Sequence, residues 1–165
     1  MNRLSNAFVV GVVISGISCA AAAQQVSFED AAIKVLRCEE TPHVLPLLEA
    51  LERAGKISGN DILGYDSISC FRISGGVSIK GMKFNSICGH EENAAVRDRR
   101  PDLLYRGPGT SPGQFVSFGT AVADHVVARW YFENIGTTHL NKAIDSEYTY
   151  IGDTTDVTCS EWFVR

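Results

Sequence analysis

SCFRISGGVSIKGMKFNSIC, residues 69 to 88, decides the fold. Phe71, Ile73, Val77 and Ile79 alternate with polar residues around Gly75 and Gly76, and Met82 and Phe84 continue the pattern after Lys80 and Gly81. A period of two sends successive side chains to opposite faces, so the stretch reads as a β-hairpin or meander with one buried face. Cys70 and Cys88 close its ends, where they would staple the strands to each other or to the flanking segments.

Helical spacing appears upstream. Ser27 to Asp30 fits a capped helix start, and Phe28, Ala32, Val35 and Leu36 then form one apolar stripe ending at Cys38. Val44, Leu47, Leu48 and Leu51 predict a second helix over residues 45 to 54, with Pro46 in its first turn and Gly55 as a left-handed cap. Downstream, residues 89 to 114 are polar, rich in charge, Gly and Pro, and carry little periodicity. They read as a long connection of the size at which loops are usually functional or disordered.

Phe115 to Phe118 then reads as a short strand. Residues 121 to 135 read as a third helix, with Val122, Val126, Val127, Trp130 and Tyr131 on one face and Gly136 ending it. Tyr148 to Ile151 and Val157 to Val164 would form a C-terminal hairpin around Gly152 and Asp153. The fold class expected is α+β: a single domain with an antiparallel sheet, N-terminal helices, a third helix packed on the sheet and two disulfides.

The first residues set the compartment. Arg3, an apolar run from Ala7 to Ile17 and the small residues Ala21 to Ala23 describe a secretory signal peptide over residues 1 to 23, leaving one domain over 24 to 165. The run is too short to be an anchor, because spanning a bilayer takes roughly 20 apolar residues. Gly16, Ile17 and Ser18 ahead of Cys19 lack the Leu-like residue of a lipoprotein signal, so Cys19 leaves with the leader. Four cysteines remain, Cys38, Cys70, Cys88 and Cys159, an even number that fits two disulfides in a periplasmic or secreted protein. Of the three pairings, Cys38 with Cys70 and Cys88 with Cys159 is preferred, since it would tie the first helix and the last strand to the sheet.

Of the 15 Lys and Arg, Arg3 leaves with the leader while all 19 Asp and Glu stay, for a mature charge of -5. That balance argues against nucleic acid or an anionic membrane surface as partner. Gly109 to Gly113 matches G-x-S-x-G, the nucleophile elbow of serine hydrolases, but Pro112 lacks the N–H that helps bind an oxyanion and neither strand nor helix flanks it. No phosphate-binding glycine pattern is present either.

Cys88, His90, Glu91 and Glu92 carry metal-ligating atoms, yet an oxidised Cys88 would leave one His and two adjacent carboxylates, so no metal is expected. His43 and His139 stand alone in the sequence. His125, Arg129 and Glu133 fall on one helical stripe, which suits a solvated face better than an acid-base pair of Asp124 with His125. Arg97, Arg99, Arg100 and Arg106 form the basic concentration, read mainly as a loop pairing internally with Asp98 and Asp102.

What stands out is a stiffened loop. Pro108 and Pro112 each fix φ, so a segment holding Tyr105, Arg106, Pro108, Thr110, Ser111, Pro112 and Gln114 loses little entropy when a partner grips it. Tyr and Arg are frequent interface anchors. The expectation is an exported module that uses no cofactor and binds another envelope or secreted protein, as an inhibitor or immunity-type factor would. A small secreted hydrolase using Ser111 or His125, and a structural component of the envelope, are the alternatives.

Overall fold

A computed structural model describes residues 27–109 and 111–164. The expected signal peptide, Cys19 and Thr110 therefore lie outside the described residues. The chain runs α1 (Phe28–Arg37), α2 (Leu45–Arg53), β1 (Leu63–Tyr65), β2 (Ile68–Ile79), β3 (Met82–His90), α3 (Ala94–Arg97), β4 (Phe115–Thr120), α4 (Asp124–Asn134), α5 (Leu140–Ala143), β5 (Ile144–Asp145), β6 (Thr155–Ser160) and α6 (Glu161–Val164). The strands form one antiparallel sheet in the order β1-β2-β3-β4-β6-β5. The fold is α+β, as the alternation and the helical stripes require.

Local chemistry sets the helix ends. Ser27 Oγ accepts from Asp30 N at 3.1 Å, which satisfies one of the amides that a helix start leaves open, and Cys38 closes α1 in a left-handed turn. Pro46 sits in the first turn of α2, where its missing N–H costs nothing. The third expected helix is α4, burying Val127, Trp130 and Tyr131, whereas Val126 is exposed.

The odd-numbered residues of β2, Phe71, Ile73 and Ile79, stay in the helix-covered core. On β3 the core residues change from Met82 and Phe84 to Ile87, a shift of one in the pleat. It occurs at the register break between Arg72 and Val77, where Gly75 and Gly76 take φ of 69° and 70°. The core continues through Val116, Phe118 and Val157 of β4 and β6 beneath α1, α2 and α4. Ile68, Cys70, Cys88 and Phe115 form a second cluster, with Tyr150 and Ile151 packed against it.

This division corrects the cysteine pairing. The bonds are Cys38–Cys159 and Cys70–Cys88. Cys70 stands directly opposite Cys88 in the β2–β3 register, with a Cα–Cα distance of 4.1 Å. Cys159 pairs in register with Val116, a residue of the helix-covered core, so it faces α1 and meets Cys38 there. A Cys88–Cys159 bond would have to pass through the sheet.

Two further expectations are corrected. Residues 89 to 114 are not a bare connection: β3 runs on to His90, α3 follows, and Leu103 and Leu104 are buried in the main core. Two adjacent apolar residues leave no periodic trace but suffice to pin a segment. Nor do residues 148 to 151 form a strand; β5 pairs with β6, and residues 161 to 164 turn into α6. Asp145 Oδ1 accepts from Glu147 N at 2.8 Å and Tyr148 N at 3.0 Å, and Asp156 Oδ2 accepts from Tyr150 N at 2.9 Å. Side-chain carboxylates thereby take amides that a strand ladder would use. No helix among the described residues is long and apolar enough to cross a membrane.

Candidate functional site

The loop from Tyr105 to Gln114 crosses the end of the sheet and is held at both ends. Tyr105 N donates to Ser69 Oγ at 2.6 Å, and Ser67 Oγ donates to the Gly107 carbonyl at 3.0 Å. The Tyr105 ring covers Gly64, where a Cβ would fall onto it. At the far end Trp162 Nε1 donates to the Pro112 carbonyl at 3.3 Å, and Glu161 N to the Gln114 carbonyl at 2.9 Å. Between these anchors Arg106, Pro108 and Ser111 are exposed, Tyr105 and Pro112 half-buried.

Gln114 plays a different part from that expected. It is buried, and its Nε2 lies 2.6 Å from His43 Nδ1 and 3.4 Å from Glu91 Oε2. His43 Nδ1 is in turn 3.2 Å from Glu91 Oε2. Glu91 is 1 % exposed, so this trio supports the loop from below. Its members are far apart in sequence, and no local spacing signals the cluster.

The arginine run divides by partner. Arg100 contacts Glu52 and Asp102 at 2.7 and 2.6 Å and Glu49 at 3.7 Å, an arrangement that raises its own pKa and lowers that of Asp102. Arg97 Nη1 donates to the Glu91 and Glu92 carbonyls at 2.6 and 2.8 Å. Arg106, by contrast, has no ion-pair or hydrogen-bond partner among the described residues. It is the exposed cation that the loop presents.

Ser111 meets a histidine, though not His125. Ser111 Oγ lies 3.2 Å from His90 Nε2 and donates to Glu92 Oε1, while His90 Nδ1 lies 2.6 Å from the Ser67 carbonyl. His125 is exposed beside Asp124 on α4, as a solvated stripe requires. The sequence treats His90 only as a possible metal ligand; pairing with Ser111 depends on the loop folding back over the end of β3. No group of three or more metal-ligating side chains gathers among the described residues.

Aromatic side chains flank the Pro112 end. Tyr150 stacks on Phe115 at 5.0 Å between ring centroids, and Tyr148 and Trp162 are 80 % and 55 % exposed. This continues the loop surface with large, rigid side chains that sequence periodicity does not mark. No protein-family model, curated protein or solved structure matches the chain.

Proposed function

We propose that this is an exported protein-binding module, of the kind that serves as an inhibitor or immunity-type factor, gripping another envelope or secreted protein through the loop from Tyr105 to Pro112. The observation that carries the reading is the loop's combination of fixed ends and exposed middle. Binding by a segment already held in place avoids much of the ordering entropy that weakens flexible contacts. Arg106 without an internal partner among the described residues suits a carboxylate on the partner, with Tyr105 as aromatic area next to it and Trp162 at the Pro112 end of the loop. Two disulfides agree with a site of action outside the reducing cytosol.

The test is capture from the native cell envelope with the mature domain as bait. Replacing residues 107 to 113 by a flexible Gly and Ser linker should abolish recovery of a defined protein while circular dichroism stays native. Arg106→Glu should weaken it tenfold or more, the equivalent of about 1.4 kcal/mol. Equal recovery by both variants would remove the reading.

A further inference from the structure

A cavity of about 270 Å³ opens beneath the loop, lined among others by Ser67, His90, Glu92, Arg97, Arg106 and Ser111. His90 is 4 % exposed, and its ring is fixed by the Ser67 carbonyl at 2.6 Å. A carbonyl oxygen only accepts, so Nδ1 carries the hydrogen and neutral His90 turns its Nε2 lone pair toward Ser111 Oγ, 3.2 Å away. That is the tautomer a general base for serine needs. The Ser67 carbonyl therefore stands where a third group orients the base. Glu92 Oε1, 3.9 Å from Nε2, would face the imidazolium formed on proton transfer.

The turn that aims this carbonyl is specified locally. Asp66 and Ser67 both take positive φ, 43° and 68°, between the paired Tyr65 and Ile68, as a two-residue hairpin of this hand requires. Pro112 after the serine offers no N–H, but two guanidinium groups border the cavity. Arg97 Nε is buried without a partner, and Arg106 has none among the described residues. A cation is an effective substitute for a main-chain donor at a developing oxyanion.

We propose that Ser111 and His90 form a nucleophilic acyl-transfer site for small carboxylic esters bearing an anionic group, with Arg106 holding the anion. The Ser111 hydroxyl hydrogen, given to Glu92 Oε1 in the resting structure, first turns to His90 Nε2; Ser111 Oγ then attacks the ester carbonyl carbon as Nε2 takes that proton. The tetrahedral adduct collapses, the carbon–oxygen bond to the alcohol breaks, and His90 returns the proton to the leaving alcohol. Water, deprotonated by the same nitrogen, then cleaves the acyl-serine to a carboxylate and restores the hydroxyl. The inference stands apart from the contact role of the loop.

The experiment treats the purified mature domain with a fluorophosphonate probe and locates the adduct by peptide mass spectrometry, with hydrolysis of succinate and acetate monoesters of p-nitrophenol followed in parallel. Expected are an adduct on Ser111, none on Ser111→Ala, at least a hundredfold slower labelling of His90→Gln, and faster turnover of the succinate ester that Arg106→Ala removes. Should His90→Gln fail to fold, Ser111→Ala, altered only on the exposed loop, and the ester preference of Arg106→Ala decide the matter. Absence of an adduct on Ser111, or equal turnover of both esters by wild type and Arg106→Ala, overturns the proposal. No partner protein is present in this assay, so its failure and that of the capture experiment are separately visible.

Discussion

At the scale of single residues, burial of carboxyl groups is the clearest source of pH dependence. Asp156 is 3 % exposed in β6, and burial pushes its pKa up to about 6, with Asp153 and Asp145 adding repulsion and the Tyr150 amide partly offsetting both. The folded state holds this proton more tightly than the unfolded chain does. The stability it contributes is therefore full below about pH 4 and is lost as the pH rises through 6. Asp156→Asn keeps an oxygen for the Tyr150 amide and removes the charge. Urea denaturation should show it about 3 kcal/mol more stable than wild type at pH 8 and no different below pH 4; a constant difference would mean that another interaction is responsible. Tyr131 is buried without any charge partner of this kind: desolvation raises its pKa to about 12, and its hydroxyl donates to the Leu36 carbonyl at 2.6 Å, at the open end of α1. Neither group is marked by its sequence neighbours, because burial is a property of what packs above a residue. The His43–Glu91–Gln114 trio and the Ser111–His90 pair escape sequence reading for the same reason.

Elements were legible wherever a period was long enough to repeat. Phe71 to Ile79 places β2, and the stripe from Phe28 to Leu36 places α1 together with its Ser27 cap. The two-residue β5 and one-turn α6 are too short to carry a period, so the expected strand from Tyr148 to Ile151 is absent and the one from Val157 holds only as far as Ser160. Cysteine pairing is equally silent in sequence, since it depends on the sheet face that each strand register selects. The pairing has an energetic consequence. Cys38–Cys159 closes a separation of 121 residues and Cys70–Cys88 one of 18. In the chain-entropy account a 15-residue loop is worth about 3 kcal/mol and a 100-residue loop about 4.7. Removing the pair as Cys38→Ala with Cys159→Ala should therefore cost about 1.5 kcal/mol more in denaturant midpoint analysis than removing Cys70 and Cys88 together. The opposite order would show that the cross-strand bond guards something beyond chain entropy, such as the β2–β3 register beneath His90.

For the molecule as a whole, the sheet and its two bonds make a rigid base, and the loop from Tyr105 to Gln114 is fastened across one end of it. Leu103 and Leu104 bind the approach to the core, while the trio below Gln114 fixes the departure into β4. The edge strands β1 and β5 have three and two residues and pair only with residues 68 to 70 of β2 and 156 to 157 of β6, so they cover the outer edges of those longer strands in part. In the proposed binding role, contact falls to side chains on the loop. The account depends on this base being oxidised, and the most direct measurement is peptide mapping without reduction of the protein isolated from its cells. It predicts a chain beginning at Gln24, with fragments joined Cys38 to Cys159 and Cys70 to Cys88. An intact leader with four free thiols would contradict it, taking away the export, the rigid base and the presented loop together.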